Sequence, residues 1–212
     1  MAGGRFIAFE GGEGCGKSTQ ARMLADALCA HGLAVDLTRE PGGTPGAEAI
    51  RRLLLDPPGK GWGPQAEALL FAAARADHVA RLIRPAVEEG RWVISDRFVD
   101  SSRAYQGGAG GVGDETVQAL HAIGSGGLCP DLTILLTVDP RTAVERTHRR
   151  DGGASDAIGG RNADYHRIVG ETFASLAAAD PAGFAVIDGG GSPDVVHAAV
   201  WSAVAPLLKS RG

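Results

Sequence analysis

Residues 9–19, FEGGEGCGKST, combine closely spaced glycines with one lysine and one hydroxyl group. Gly11, Gly16, Lys17 and Ser18 complete the pattern G-x-x-x-x-G-K-[ST]. Such a loop surrounds phosphates with backbone N–H groups, while the lysine approaches the β- and γ-phosphates and the hydroxyl faces Mg²⁺. The pattern predicts a nucleoside triphosphate site in which Ser18 is a metal ligand. The other residues of this predicted donor site are Gly12, Glu13, Gly14, Cys15 and Thr19.

Glu13 places a carboxylate inside this loop. A negative charge there repels the phosphates unless the side chain turns away from them. Two orientations are open from the residues alone: toward a second substrate, or outward into solvent.

Asp96 and Arg97 end a second segment, WVISDR (92–97). The apolar residues before them predict a buried strand, so both side chains lie at its carboxyl end. An acid at this position holds Mg²⁺ directly or through water, and a guanidinium binds a phosphate with two hydrogen bonds. A surface ion pair of little energetic value is the alternative reading.

The two segments, residues 9–19 and 92–97, are far apart in sequence, so the strands and helices between them must bring them together in the fold. Short apolar runs predict strands at Phe6–Phe9, Ala34–Thr38, Trp92–Ser95, Leu132–Val138 and Phe184–Ile187. The stretches between them predict helices at Ser18–Ala30, Pro45–Leu55, Gln65–Glu89, Glu115–Gly124, Arg141–Arg150, Asp164–Ala179 and Pro193–Leu208. This alternation predicts an α/β fold with a doubly wound, five-stranded parallel sheet that binds ligands at its carboxyl edge.

Composition narrows the class of protein. The 212 residues are 44% hydrophobic and 22% charged, which is typical of one globular domain spanning residues 1–212. A formal net charge of −4 argues against a surface built for nucleic acid polymers or anionic lipid. The chain has no run near the roughly 20 apolar residues of a membrane span, and its first residues do not resemble a secretory signal. With three cysteines in no metal-binding pattern, we expect a reduced, cytoplasmic location.

Three glycine-rich stretches interrupt the elements: GGTPG (42–46), GGAGGVG (107–113) and DGGASDAIGG (151–160). The first opens a helix, and the second joins two helical segments, either as a plain surface loop or in a functional role. Arginines flank the third on both sides, which favours a mobile helical lid at about residues 149–163.

The triphosphate motif alone does not choose among kinases, GTPases and motor ATPases. A regulatory GTPase normally carries an N-K-x-D segment, which this sequence lacks, and the chain is short for a mechanical module. A small-molecule kinase is the leading class.

At this point the sequence resembles the bacterial thymidylate kinases. The resemblance is carried by FEGGEGCGKST (9–19), TREPGGTPGAEAIRRLLL (38–55), ALLFAAARADH (68–78), WVISDRFVDSSRAYQGG (92–108) and PDLTILLTVDP (130–140). It implies phosphorylation of dTMP to dTDP with ATP and Mg²⁺, by a homodimer. The catalytic residues it implies are Lys17, Asp96 and Arg97, with Asp96 also a metal ligand.

The resemblance also implies an acceptor site for dTMP. Glu13 accepts a hydrogen bond from the sugar 3′-hydroxyl, and a cis Glu40–Pro41 bond borders the pocket. Arg51 lies near the acceptor phosphate, whereas its neighbour Arg52 is solvated. The remaining acceptor residues are Phe71 and Arg75 at the thymine, with Arg97, Ser101, Ser102, Tyr105 and Gln106 along the nucleoside.

From the residues alone, Phe71 and Arg75 share one helical face, where an aromatic ring and a forked donor can stack on a pyrimidine and bond its edge. The alternative, which the residues alone favour, is that Phe71 is a core residue and Arg75 a surface residue. The resemblance implies that Tyr105 crowds a 2′-hydroxyl and so favours deoxyribose. Arg103 is interpreted as a surface residue.

The lid departs from the family pattern D-R-[FI]-E. Here the stretch reads Asp156-Ala157-Ile158-Gly159, so the family arginine is missing. A cation must offset the charge of the transferring phosphoryl group. Arg161 is the first choice, with Arg149 and Arg150 as alternatives, and Arg146 is expected against the adenine of ATP.

Two other functions stay open from the sequence. One is a kinase for a different nucleotide or nucleoside, such as dUMP, dCMP or thymidine. The other is a regulator that binds nucleotide without catalysis, for which the missing lid arginine is the supporting feature.

Overall fold

The computed structural model of the chain describes residues 3–151 and 157–209. Its strands are β1 (Phe6–Glu10), β2 (Val35–Arg39), β3 (Trp92–Asp96), β4 (Leu132–Thr137) and β5 (Phe184–Asp188). They form one sheet in the order β2-β3-β1-β4-β5, and every pairing is parallel. The predicted five-stranded parallel α/β sheet is confirmed.

The sheet brings the two predicted phosphate-binding segments side by side. β1 pairs with β3 so that Phe9 lies opposite Asp96, which puts the glycine-rich loop next to Arg97. The chain then crosses from β3 past β1 to β4, so the strand order reverses here. Ligands of open α/β sheets bind at the carboxyl ends of strands where the order reverses.

The helices are α1 (Lys17–Ala30), α2 (Pro45–Leu55), α3 (Pro64–His78), α4 (Arg84–Glu88), α5 (Val99–Ser102), α6 (Asp114–Ser125), α7 (Pro140–Asp151), α8 (Ala163–Ala179) and α9 (Pro193–Lys209). The bounds predicted for α2 are confirmed at both ends. Its start follows from local chemistry, because the Thr44 hydroxyl caps the helix by accepting from the backbone N–H of Ala47, and Pro45 occupies the first turn.

Helices cover both faces of the sheet, as continuous apolar strands require. On one face, α1 and α9 pack against β1 and β4 through buried side chains such as Leu24 and Val200. On the other, Ile83 and Phe98 pack against Phe6 and Val93. No helix within residues 3–151 and 157–209 is long and apolar enough to cross a membrane.

The single helix predicted over Gln65–Glu89 is divided by a π-helical turn at Val79–Ile83. The physical cause is Pro85, which has no backbone N–H to continue the i→i−4 ladder. The wider turn satisfies the backbone by letting the Arg84 N–H bond to the Val79 carbonyl.

The stretch at 107–113 is helical in its first part, because α5 continues into π-helical turns over Arg103–Ala109. Gly108 allows α8 to approach closely, since an added Cβ would lie 2.4 Å from the Thr172 hydroxyl oxygen. The glycines here therefore serve helix packing as well as the turn that follows.

Candidate active site

The loop between β1 and α1 contains three glycines with positive φ: Gly11 (136°), Gly14 (69°) and Gly16 (97°). These angles are unfavourable for residues with a Cβ. At Gly11 a Cβ would also lie 2.3 Å from the Leu136 carbonyl oxygen of β4. The exposed Thr19 follows in the first turn of α1.

Gly14 lies against α7, the helix that leads into the predicted lid. A Cβ at this position would be 2.4 Å from the Ala143 carbonyl oxygen and 2.9 Å from the Thr147 hydroxyl oxygen. The loop and this helix are therefore in direct contact through the main chain.

Lys17 is buried within the loop, with 6% of its surface exposed. Its Nζ donates to the carbonyl oxygens of Gly11 (3.1 Å) and Gly12 (2.6 Å), and Cys15 Sγ lies 3.5 Å away. Burial disfavours the ammonium, but neighbouring groups, including Glu13 and Asp96, outweigh it and raise the pKa of Lys17 above its usual value. The side chain is therefore a fixed positive charge.

Ser18 and Asp96 meet at the carboxyl ends of β1 and β3. The Ser18 hydroxyl donates a hydrogen bond to Asp96 Oδ2. The two oxygen groups predicted to hold a metal are thus brought together.

Arg97 extends from a left-handed backbone conformation, φ 75°, directly after β3. Its guanidinium donates to Glu13 Oε1 (2.5 Å), the Gly11 carbonyl (3.2 Å) and Ser101 Oγ (3.1 Å), and it lies over the Tyr105 ring. It therefore contacts both the glycine-rich loop and the predicted acceptor residues. This ion pair turns Glu13 toward the acceptor side. Because only 17% of the Arg97 side chain is exposed, the pair differs from a solvent-exposed surface ion pair.

Arg75 occupies a second buried cluster, with 2% of its surface exposed. Its Nε donates to Glu40 Oε2 (2.8 Å), and its Nη2 donates to Ser102 Oγ (2.9 Å) and the Phe98 carbonyl (3.2 Å). Phe71, one turn earlier on α3, is partly buried in the apolar cluster around Tyr105. Arg75 and Phe71 thus lie near the predicted nucleoside residues.

The segment after β2 borders this cluster. The Glu40–Pro41 bond is cis, as expected, and Arg51 of α2 donates to the Pro41 carbonyl at 2.6 Å.

Arg52 is exposed, in agreement with its predicted solvated position. Arg103, predicted at the surface, is instead partly buried, because its guanidinium bridges Asp100 and Asp114.

Arg161 lies on the acceptor side of the site. Its guanidinium donates to Glu67 Oε2 and to the Tyr165 hydroxyl at 2.5 Å. Glu67 also accepts from Gln106 Nε2 at 2.9 Å. To act on the transferring phosphoryl group, as predicted, the guanidinium would have to leave Glu67.

The other arginines considered in this region are Arg146, on the helix before the predicted lid, and the two lid alternatives Arg149 and Arg150. Arg146 of α7 donates to the Gly189 carbonyl at 2.8 Å, which holds it against the loop after β5. Arg149 is exposed. The side chain of Arg150 and the whole of Asp156 lie outside the described residues, whereas Ala157, Ile158 and Gly159 of the stretch that lacks the family arginine are described.

Four buried polar residues at this site were not predicted: Glu10, Thr38, Glu67 and His78. Thr38, Glu67 and His78 have other polar residues within two positions, so nothing in their local sequence marks them as buried, and only Glu10 directly follows an apolar run. That position is a sequence signal, but it does not identify the partner that satisfies the polar group.

Glu10 ends β1 and caps the start of α5. Its carboxylate accepts from the backbone N–H groups of Phe98 (2.8 Å) and Ser101 (3.0 Å) and from Ser101 Oγ (2.6 Å). Burial, with the nearby Asp100, raises the pKa of Glu10 to about 7. An acid whose pKa is raised in the folded state contributes stability that is full below its unfolded pKa and is lost as the pH rises through the folded one.

We expect the variant Glu10→Gln to remove this pH dependence, because glutamine can make the same contacts without a charge. Between pH 5 and pH 8, the free energy of unfolding of the wild type should fall relative to that of E10Q by about 3 kcal/mol. Urea unfolding of both proteins across this range measures the difference. A difference that stays constant with pH would contradict the raised pKa.

Comparison with known proteins identifies the family. The family model described as "Thymidylate kinase" matches residues 9–200. A thymidylate kinase of Rhizorhabdus wittichii is 56% identical, covering 97% of this chain and 99% of the relative, and one of Bradyrhizobium diazoefficiens is 48% identical, covering 97% and 90%. The crystal structure of thymidylate kinase from Ehrlichia chaffeensis superposes with a TM-score of 0.78 at 30% identity, over 95% of this chain and 99% of that one. The chain belongs to the thymidylate kinase family.

Proposed function

We propose that this chain transfers the γ-phosphoryl group of ATP to dTMP, giving ADP and dTDP, through the residues described above. The observation that carries the assignment of the site is the position of Arg97, which contacts the triphosphate loop on one side and acceptor residues on the other. A kinase that joins two nucleotides end to end needs one cation at that junction.

The nucleophile is a phosphate oxygen of dTMP that is already ionised, so no strong general base is required. Catalysis then depends on positioning the two nucleotides and on neutralising the charge that repels them. Lys17 supplies one fixed positive charge to the donor phosphates, and Arg97 supplies a second at the junction.

The hydrogen-bonded pair of Ser18 and Asp96 fits a magnesium ion, because a hydroxyl and a carboxylate oxygen are the ligand types that Mg²⁺ prefers. When bound there with the triphosphate, Mg²⁺ would supply further neutralisation of phosphate charge.

Recognition of dTMP is assigned to the second cluster. We propose that Phe71 stacks on thymine, that Arg75 and Ser102 bond its polar edge, and that Gln106 lines the nucleoside. Tyr105 stands beside Arg97, where its ring restricts space for a 2′-hydroxyl. Once Arg97 is engaged by phosphate, Glu13 becomes available to the 3′-hydroxyl, and Arg51 lies near the acceptor phosphate.

The lid contribution is also part of the proposal. Closure of a lid at about residues 149–163 would exclude water from the phosphoryl group. Arg161 is proposed as its cation after exchange from Glu67, and Arg146 as a contact of the adenine.

A steady-state assay of ADP formation with ATP and Mg²⁺ tests the function. We expect dTMP to give the highest kcat/KM among dTMP, dUMP, dCMP and thymidine. A preference for unphosphorylated thymidine would overturn the acceptor assignment. Nucleotide binding without acceptor-dependent turnover would instead favour a regulator.

Replacing Arg75 with lysine tests the proposed base contact. Lysine keeps a cation near Glu40 but loses the forked donors, so we expect KM for dTMP to rise about tenfold or more, the loss of one charged hydrogen bond. KM for ATP should stay within about twofold, because the donor loop is untouched. The exposed Arg52, changed to lysine, is the matched control, and equal losses for both substrates would contradict the role of Arg75.

A single domain, a homodimer and a cytoplasmic location complete the proposal. A second copy would cover exposed apolar side chains such as Leu69 of α3 and Ile123 of α6, which are 55% and 85% exposed. The three cysteines are free thiols, which suits a reducing compartment. Sedimentation equilibrium tests the oligomeric state.

A further inference from the structure

A chain of buried polar groups lies behind Arg75. Glu40, which accepts from Arg75 with one oxygen, accepts with the other from His78 Nδ1 at 3.0 Å. The opposite nitrogen of the ring, His78 Nε2, lies 2.8 Å from Thr38 Oγ1. His78 is fully buried, and Glu40 and Thr38 are 5% and 9% exposed, so solvent does not compete for these bonds.

The hydrogen-bond pattern assigns the proton on the histidine. A carboxylate that is paired with an arginine only accepts, so Nδ1 must carry hydrogen to bond Glu40. The Thr38 hydroxyl can either donate or accept, so it adapts to Nε2. The ring therefore joins a fixed acceptor at one end to an adaptable hydroxyl at the other.

The backbone after Pro41 closes over this network. A Cβ added to Gly43, whose φ is 87°, would lie 2.3 Å from Thr38 Oγ1 and 2.6 Å from His78 Nε2. The second glycine of REPGG thus lets the main chain approach the histidine directly. With so little space, the ring cannot move without displacing the segment that borders the acceptor pocket.

We propose that His78 is a positioning residue for the acceptor: its Nδ1–H fixes the Glu40 carboxylate, which in turn orients the Arg75 guanidinium. The inference rests on the proposed function, because Arg75 is the group assigned to thymine. His78 itself contacts neither nucleotide in this scheme. Its loss should therefore change how tightly dTMP binds and leave the donor site unchanged.

A matched pair of variants separates positioning from packing. His78→Asn places an N–H near the position of Nδ1, whereas His78→Gln places one near Nε2. Both remove a ring from the core, so both should lower Tm to a similar degree. We expect H78Q to raise KM for dTMP about tenfold, the usual effect of losing one hydrogen bond to a charged group, and H78N to stay within about threefold.

KM for ATP should be unchanged in both variants. Equal increases of KM for dTMP in H78N and H78Q, or parallel increases for ATP and dTMP, would show that the ring matters only for packing and would overturn the proposal.

A second measurement does not depend on activity. NMR of the wild-type chain labelled with ¹⁵N-histidine should show a protonated Nδ1 at His78, and a ring protonated only at Nε2 would overturn the inference. The wild-type assay reports separately on function. If the wild type fails to phosphorylate dTMP, the proposed function fails, whereas the NMR result still decides whether His78 holds Glu40.

Discussion

Replacing Lys17 with methionine should lower kcat/KM for dTMP phosphorylation by about 10³-fold, comparable to the loss of a main electrostatic contact to a transition state. The ammonium is buried, raised in pKa and held by two loop carbonyls, so it is already positioned before the nucleotide binds. Methionine has a similar length but no charge, so it fills the same space and loses the two hydrogen bonds to the loop carbonyls. A coupled assay of ADP release with ATP and dTMP measures the effect.

Lys60 provides the control for this change, because it is exposed in the turn after α2. Lys60→Met should keep activity within about twofold, and thermal unfolding of both variants checks that each is folded in the assay. If folded K17M retains more than a tenth of the wild-type kcat/KM, the assignment of Lys17 to the donor phosphates is wrong.

Replacing Arg97 with lysine is expected to lower kcat/KM for dTMP by about 10²-fold. Lysine preserves the charge, but one ammonium cannot reproduce a planar fork that contacts Glu13, Ser101 and a loop carbonyl together. The loss should appear mainly in kcat, since a group at the junction of the two nucleotides acts most strongly in the transition state.

Arg103→Lys is the matched control for Arg97→Lys. Arg103 is also partly buried and also bonded to carboxylates, Asp100 and Asp114, but it lies outside the proposed site. We expect R103K to lower stability with little effect on kcat. Similar kinetic losses in both variants would mean that the effect of R97K comes from weakened packing rather than from the reaction.

Much of the fold was predictable because it depends on local patterns. Apolar runs identified all five strands, and the helix at Pro45–Leu55 was predicted at both ends; the threonine cap and the proline explain where it begins. The helix predicted over Gln65–Glu89 was wrong in its middle, where a proline changes the hydrogen bonding without ending the helix. Local sequence patterns therefore predict the position of a helix or strand more reliably than the hydrogen-bond pattern within it.

The candidate site was predictable only where a motif signalled it. The glycine loop, Asp96 and Arg97 come from contiguous motifs, and the structure brings these segments together. Glu67 and His78 were missed because their partners are distant in sequence: His78 bonds Glu40 and Thr38, and Glu67 bonds Arg161. Such pairings arise from tertiary contacts, which no local spacing encodes.

The contact between Gly14 and α7 has a consequence for how this enzyme can change. A cation at position 14 would be a direct remedy for the family arginine that is missing from the predicted lid. However, any side chain there needs φ near 69° and would collide with the Ala143 carbonyl, so the helix would have to shift. A replacement cation is therefore more easily gained by mutation outside position 14, and position 14 and the facing residues of α7 are constrained to vary together.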